Sequence, residues 1–313
     1  MSGANSMDGD IAERFRARSG TLDGNVAERF RARSGTLYVV ATPLGNLRDV
    51  TLRALDVLAT VDVIAAEDTR VTAKLLSRYG LATRTLSLHA HNEAERAQVL
   101  VARLAAGESV ALVSDAGTPA VSDPGARLVR AAHEAGHPVV AVPGASALTA
   151  AVSVAGLCAE SFVFAGFPPN QAKARRAWLD RLARLPAAVV MYEAPHRVAA
   201  TVADIVASFG GARTLVVARE ITKAFETVAR IPLGEASGWF AADANRVRGE
   251  FVLIVDGLEE EAPVPVVLDE SVERWLAALL TELPPARAAR VVAAVTGIAR
   301  DVVYARAMKL KPG

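Results

Sequence analysis

The sequence predicts an α/β protein: a mainly parallel sheet, a smaller mixed sheet after it, and helices at the end. Three observations carry that expectation. Short apolar runs such as Val110–Val113 and Val139–Val142 end in Gly, Pro and small polar residues, the pattern of buried parallel strands. These runs alternate with segments of helical periodicity, as in a doubly wound sheet. The composition, 52% hydrophobic and 22% charged over 313 residues, is that of a core-forming chain long enough for two domains or more.

Residues 1–35 read as an arm. IAERFRARSGTL at Ile11–Leu22 recurs as VAERFRARSGTL at Val26–Leu37, and only the first residue differs. Two copies are too few for a repeat architecture. The arm is expected to be mobile or weakly helical, its Arg residues offset by Glu and Asp. Removing residues 1–34 is expected to leave fold and activity intact.

The first α/β domain spans 36–157. Its strands are expected at Leu37–Ala41, Val61–Ala65, Thr85–Leu88, Val110–Val113 and Val139–Val142. Helical periodicity marks Thr51–Val61, Val71–Tyr79, Glu93–Ala106, Pro124–Ala135 and Ser146–Val154. Asn92, Asp123 and Ser146 stand at N-cap positions, and Pro124 at a first helical position. A weak seam at 156–161 leads to a second domain, 158–257. Strands there are expected at Phe162–Ala165, Ala187–Tyr192, Thr214–Ala218, Phe225–Ile231 and Glu250–Val255, with helices at Gln171–Leu185, Val198–Phe209 and Leu233–Ala241. Adjacent short strands make this sheet mixed. Beyond an acidic, Pro-containing linker, 263–313 reads as an appendix of three helices, Asp269–Thr281, Pro285–Val295 and Ile298–Met308. It is too small for much core of its own and is expected to pack on something.

Charge and cysteine usage narrow the function. A net charge of +1 neither demands nor excludes nucleic acid, so RNA contact would need a local basic patch. A single cysteine, Cys158, excludes an internal disulfide and a cysteine-built metal site. No apolar run reaches the roughly 18 residues of a membrane helix, and the opening MSGANSMDGD has no apolar signal core. A cytoplasmic protein with no membrane partner is expected. Neither GxGxxG after the first strand nor GxxxxGK[ST] occurs, so the dinucleotide fingerprint and the P-loop are both missing. His89 and His91 could hold a metal only with further partners, and no metal site is expected.

Polar clusters stand instead at the ends of apolar runs: Pro43–Asn46, Glu67–Arg70, His89–Glu93, Asp115–Pro119, Asp123–Gly125, Glu193–Arg197 and Arg219–Lys223. In open α/β sheets ligands bind beyond the carboxyl ends of the strands, so these clusters point to one large polar cleft. Asp123 and Asn92 read as caps. Asp68 with Arg70, and Arg219 with Glu220, are either loop-fixing ion pairs or ligand contacts.

The motifs LYVVATPLGNL, AAEDTR, LSLHAHNE, LVSDAGTPAVSDPG, VVAVPGASALTAAVSVAGL, FVFAGFPP, MYEAPHRV and AREITKAFE follow one another in this order. Together they resemble the ribosomal RNA methyltransferases of the tetrapyrrole methylase superfamily, the class III methyltransferases. The likeness runs from about Thr36 to the end of the chain. It implies a two-domain tetrapyrrole-methylase-like α/β fold with a small C-terminal helical appendix. It implies S-adenosylmethionine as cofactor, held between the domains largely by backbone groups. The implied reaction is methyl transfer to the ribose 2′-hydroxyl of a cytidine in the decoding region of 16S ribosomal RNA, within the small ribosomal subunit. A homodimer is implied too, for which the apolar segment Ala147–Leu157 offers a face; no DNA partner is.

By this resemblance, cofactor contacts fall to Pro43, Leu44, Gly45, Asp115, Gly117, Thr118, Val121, Ala145, Ser146, Met191 and Tyr192. Gly117-Thr118-Pro119 stands where the superfamily has Gly-Asp-Pro, so the usual acid is missing. The donor's amino-acid part would meet Thr118, Val121 or Asp115 instead. A general base must take the hydroxyl proton, and Glu67, Asp68, Glu93, Glu220, His89, His91 and Lys223 all remain candidates. Lys223 could also hold a phosphate or a developing alkoxide. RNA contacts are expected from Arg70, His91, Arg197, Arg219, Lys223 and the basic helix that carries Lys173 and Arg176, although Arg175, Arg176 and Arg181 could equally form a solvated face. Two other functions stay open. Methylation of a tetrapyrrole carbon is argued against by EDTR, HAHNE and the appendix, and a non-catalytic RNA-binding factor would fail to bind the methyl donor.

Overall fold

The computed structural model describes residues 31–257 and 268–310, which form two compact units. Residues 1–30 of the duplicated arm and the linker 258–267 lie outside the described residues.

In the first unit, strands β1 (Leu37–Val40), β2 (Val63–Ala66), β3 (Thr85–Ser87), β4 (Val110–Val113) and β5 (Val139–Val142) form a sheet in the order β3-β2-β4-β1-β5. Neighbours run parallel, with Leu37 beside both Val110 and Val139. The period-two alternation of a strand splits the core into two layers. Tyr38, Val40, Ile64, Ala111 and Val113 pack with Ala54, Val57 and Leu58 of α1 (Leu52–Thr60) and Leu76 of α2 (Thr69–Arg78). Leu37, Val63, Ala65, Val110 and Leu112 pack with Leu100 and Leu104 of α3 (Glu93–Ala105) and Leu128 of α4 (Ala126–Glu134). β4 is buried throughout, whereas β5 lies at the sheet edge and leaves Ala141 exposed, so only one of the two leading apolar runs is a fully buried strand.

Three caps differ from expectation. α4 starts at Ala126, and Asp123 is not its cap. The residue before the helix, Gly125, has φ +124°, and a Cβ there would fall 2.6 Å from a Leu112 methyl, so a side chain is excluded both by conformation and by space. The amides at this end are satisfied from α3, where the Glu93 carboxylate accepts from Gly125 and Arg127. Asn92 spends its side-chain oxygen on the His89 amide rather than on α3. Ser146 precedes α5 (Ala147–Ala155) without a side-chain cap bond. The arm also ends sooner than expected. Ala32 packs beside the first core layer, the Arg33 amide donates to the Tyr38 hydroxyl at 2.8 Å, and the Ser34 hydroxyl donates to the Gly107 carbonyl at 2.6 Å.

A second sheet contains β6 (Phe162–Phe164), β7 (Ala188–Glu193), β8 (Thr214–Arg219), β9 (Thr227–Pro232) and β10 (Phe251–Val255), in the order β6-β7-β10-β8-β9. It is mixed: β6 and β7 are parallel, and the other pairs antiparallel. One face packs with Leu179 of α6 (Ala172–Leu182), Val202 and Ile205 of α7 (Val198–Phe209) and Phe240 of α8 (Ala236–Ala241). The other face receives α5, whose Ala151 and Ala155 sit against Val190, Val216 and Ile254. The small residues of the segment expected to offer a dimer face are therefore spent inside the unit, because their size lets the helix approach the sheet.

The second unit holds α9 (Glu270–Glu282), α10 (Pro285–Thr296) and α11 (Arg300–Leu310). Asp269 caps α9 through the Ser271 and Val272 amides, Gly297 at φ +74° ends α10, and Arg306 pairs with Glu273 at 2.7 Å. Leu276, Ala288, Ala289, Val292 and Val303 are buried together, so the appendix has a core of its own. Among the described residues no helix is long and apolar enough to cross a membrane.

Candidate active site

The loops leaving the carboxyl ends of β1, β2, β4 and β5 are tied to one another. Thr42 and Gly117 exchange both backbone hydrogen bonds at 2.9 Å, and the Thr42 hydroxyl donates to the Ser114 carbonyl at 3.1 Å. The Thr118 hydroxyl donates to the Ala145 carbonyl at 3.1 Å. The Asp68 amide donates to the Asp115 carboxylate at 2.9 Å, and the Asp115 amide to the Glu67 carboxylate at 3.3 Å. Between Gly117 and Gly125 the chain holds Ala120 and Ser122 at φ +63° and +67°, a strained course for residues with a Cβ.

These loops and the second sheet enclose a cavity of about 370 Å³, within the range of small-molecule sites. From the first sheet come Leu44, Gly117, Thr118, Val121 and Ser146, together with the carboxylates Glu67, Asp115 and Asp123. From the second sheet come Tyr192, Phe167, Ile221, Lys223 and Phe251. The Tyr192 hydroxyl accepts the Leu148 amide of α5 at 3.1 Å, and its ring meets Phe164 and Phe167 edge-on. A Cβ on Gly117, at φ +83°, would press within 3.1 Å of Leu44, so glycine lets the backbone line the cavity closely.

The cavity is acid-rich. Burial raises the Asp123 carboxyl to about 6, helped by the charges of Glu67 and Asp115 and opposed by the Ser114 hydroxyl. Glu67 is raised by burial, against the Asp115 amide, with the charges of Asp115 and Asp68 adding to the rise. Asp115 is likewise raised by burial, against the Asp68 amide. Among the described residues none forms an ion pair with Glu67, Asp115 or Asp123, although the charge of Arg70 reaches Asp115, and three such carboxyl groups make a site suited to a positively charged ligand. Lys223 does not supply that cation. Burial disfavours its charge, but its bonds to Glu250 (2.7 Å) and Glu220 (2.9 Å) prevail and raise its pKa. Glu220 is in turn lowered, the Glu250 amide and Lys223 outweighing burial. A charged lysine and a paired carboxylate are both poor bases.

Other expected site residues lie elsewhere. Met191 neighbours Tyr192 on β7, so its side chain points to the opposite face and is fully buried in the core. Pro43 and Gly45 line an adjoining cavity, and Ala145 contributes its carbonyl to Thr118. Asp68 caps α2 and pairs with Arg70 at 2.6 Å, which holds its carboxyl down at about 2. His91 is exposed, edge-on to His89, and lines neither cavity.

Among the expected RNA contacts, two arginines are spent on the fold. Arg197 donates to the Asn170 side chain and the Pro168 and Pro169 carbonyls and sits by Glu193, clamping the loop that carries Phe167. Arg219 donates to the carbonyls of Asn245, Arg248 and Phe225. On α6, Arg175 is buried against Asp204 and Arg176 pairs with the same carboxylate, while Lys173 is exposed.

Sequence reasoning passed over Asp123 as a ligand group because Asp before Pro reads as a cap. It passed over Phe167 because a lone aromatic in a turn carries no periodicity.

Comparison with known proteins followed the same lines. Residues 36–237 match the family model of tetrapyrrole (corrin/porphyrin) methylases, and 266–311 match that of the RsmI C-terminal HTH domain. Proteins named ribosomal RNA small subunit methyltransferase I are similar over most of their length. That of Vibrio cholerae is 47% identical over 270 residues, 86% of this chain and 92% of its own. That of Neisseria meningitidis serogroup A is 48% identical over 275 residues, 88% and 94%. Among solved structures, the methyltransferase CobJ superposes with a TM-score of 0.55 at 22% identity, over 72% of this chain and 95% of that one. Cobalt precorrin-4 methyltransferase CbiF gives 0.54 at 17% identity, over 71% and 95%.

Proposed function

Because the chain belongs to the tetrapyrrole (corrin/porphyrin) methylase family, alongside the ribosomal RNA small subunit methyltransferase I proteins, we propose that it methylates small-subunit ribosomal RNA. The donor is S-adenosylmethionine, and the target is a cytidine ribose 2′-hydroxyl in the decoding region of 16S RNA. The observation that carries this reading is the acid-rich cavity between the two sheets. Its carboxylates suit a donor that is cationic at sulfur, and its Gly117–Thr118 backbone and Tyr192 and Phe167 rings suit the donor's polar and adenosine parts.

S-adenosylmethionine supplies, when bound, a methyl group on a sulfonium leaving group. The chain's own residues do the rest. The Thr42–Gly117 and Thr118–Ala145 bonds fix the loops that would hold and orient the donor. The apolar side chains Leu44, Val121 and Phe251 exclude water. Glu67 takes the hydroxyl proton: of the bases the sequence nominated, it is the carboxylate placed in the cavity with a raised pKa.

The protein acts in the cytoplasm as a homodimer; light scattering that shows a monomer at micromolar concentration would remove the dimer. The activity is tested with radiolabelled S-adenosylmethionine and small ribosomal subunits that lack the modification. Label is expected on one cytidine ribose of the decoding region. Label on a base, or none on RNA but some on a tetrapyrrole, would overturn the reading.

A further inference from the structure

A second cavity, of about 410 Å³, adjoins the first, and Leu44 and Asp115 line both. One wall is a face of α2, where Val71, Lys74, Leu75 and Arg78 follow one another at helical spacing. The other wall is the loop of Thr42, Pro43 and Gly45. The chemistry of this cavity differs from that of its neighbour. Leu47, Val71 and Leu75 give it an apolar floor, and Lys74 and Arg78 stand exposed at its rim. Arg70, one helical step earlier on the same side, extends the cationic row, its side chain 86% exposed even while paired with Asp68. On α2, cationic side chains thus border a cavity that adjoins the donor site.

An apolar floor beneath two cations fits a nucleotide: sugar and base lie on the floor, and phosphates meet the ammonium and guanidinium groups. We propose that this second cavity seats the RNA nucleotide that accepts the methyl group, with Lys74 and Arg78 holding the phosphates on either side of it. The assignment rests on the methyl-transfer reading above and deepens it. Donor and acceptor then meet across Leu44 and Asp115. The ribose oxygen bonds to the methyl carbon, the carbon–sulfur bond breaks with its electron pair left on sulfur, and the hydroxyl proton passes to Glu67, whose carboxylate lines the donor cavity and accepts the Asp115 amide.

The test compares the wild type with the double variant Lys74→Gln, Arg78→Gln, using unmethylated small ribosomal subunits as the probe. Both side chains are exposed, so the double variant should fold, and its melting curve checks this. Each phosphate contact contributes roughly 0.7 to the slope of log binding constant against log salt for single-stranded RNA, so the double variant should lose about 1.4. KM for subunits should rise about tenfold, with kcat and the S-adenosylmethionine dissociation constant nearly unchanged. The charge-keeping pair Lys74→Arg, Arg78→Lys should retain the wild-type slope. An unchanged slope and KM in the glutamine variant would overturn the assignment. Failure of the methyl-transfer reading gives a different result: the wild type would leave subunits unmethylated while the slopes of wild type and variant still differed.

Discussion

Glu93 on α3 caps α4 across the loop that lines the cavity: its carboxylate accepts the Gly125 amide at 2.8 Å and the Arg127 amide at 2.9 Å. Glu93 is only 8% exposed and Gly125 is buried, so the Gly125 amide has no water as a ready substitute. Glu93→Ala would leave both without a partner, at a cost of about 1–3 kcal/mol. The melting temperature should fall, and donor affinity with it, because Asp123 sits two residues before Gly125. Glu93→Gln keeps an acceptor oxygen and should recover most of the loss. A melting curve for Glu93→Ala that overlays the wild type would show that the cap carries no weight.

Asp123 should make stability depend on pH in an unusual direction for a carboxylate. Its folded pKa is about 6, above the unfolded value. Between the two values the folded chain holds more protons than the unfolded one, so stability falls as pH rises through that window. Above about 6 the penalty of the buried charge is complete. Asp123→Asn should therefore stabilise the protein at neutral pH, by roughly 1 kcal/mol once solvent contact is allowed for. The gain should vanish as pH approaches about 4. The same variant should bind S-adenosylmethionine several-fold more weakly at neutral pH, since a cation loses one of three facing carboxylates. Thermal melts and calorimetric titrations across pH check both; a stability gain that persists in acid would contradict them.

Arg197→Ala is expected to act on the donor rather than on RNA. Its guanidinium ties Asn170 and the Pro168 and Pro169 carbonyls to Glu193, and Phe167, next in the chain, lines the donor cavity. Losing charge-assisted bonds of this kind costs about 1.5–3 kcal/mol each at most. The loop should loosen, the dissociation constant for S-adenosylmethionine should rise, and the salt dependence of RNA binding should stay as it is. A variant with normal donor affinity but a shallower salt slope would restore Arg197 to the RNA surface.

These cases mark how far the sequence could be read. Strand and helix positions were legible because a strand buried on both faces, such as β4, reads as a short continuous apolar run, while burial of one face imposes period 3.6 on α1 and α7. The site loops were legible for a topological reason: the carboxyl ends of parallel strands share an edge, which gathers Leu44, Glu67, Asp115, Thr118 and Ser146. The direction of individual side chains was not. Met191 and Tyr192 are adjacent, and one lies in the core while the other faces the cavity, a choice fixed by the pairing of β7 with β10 rather than by residue type. Ion-pair partners were equally hidden. Arg175 and Arg197 read as surface charge, but Asp204, which claims the first, and Asn170 and the Pro168 carbonyl, which claim the second, come from distant segments.

The duplicated arm provides the last test. The same string, RARSGTL, closes both copies, yet only the second runs directly into β1. There Ala32 donates to the Thr60 hydroxyl at 3.2 Å, Arg33 to the Tyr38 hydroxyl at 2.8 Å, and Ser34 and Gly35 to the Gly107 carbonyl at 2.6 and 3.2 Å. These bonds predict that removal of the chain through residue 34 lowers stability, where the repeat alone led to the expectation that it leaves the fold intact. Each such bond contributes about 0.5–1.5 kcal/mol. A chain starting at Gly35 should therefore melt several degrees below one starting at Arg31. Its methyl-transfer activity, measured well below both transitions, should be retained, because none of these four residues lines either cavity. Equal melting temperatures for the two truncations would mean that the second copy's end adds nothing to the fold, and loss of activity in the shorter chain alone would place the arm in the reaction.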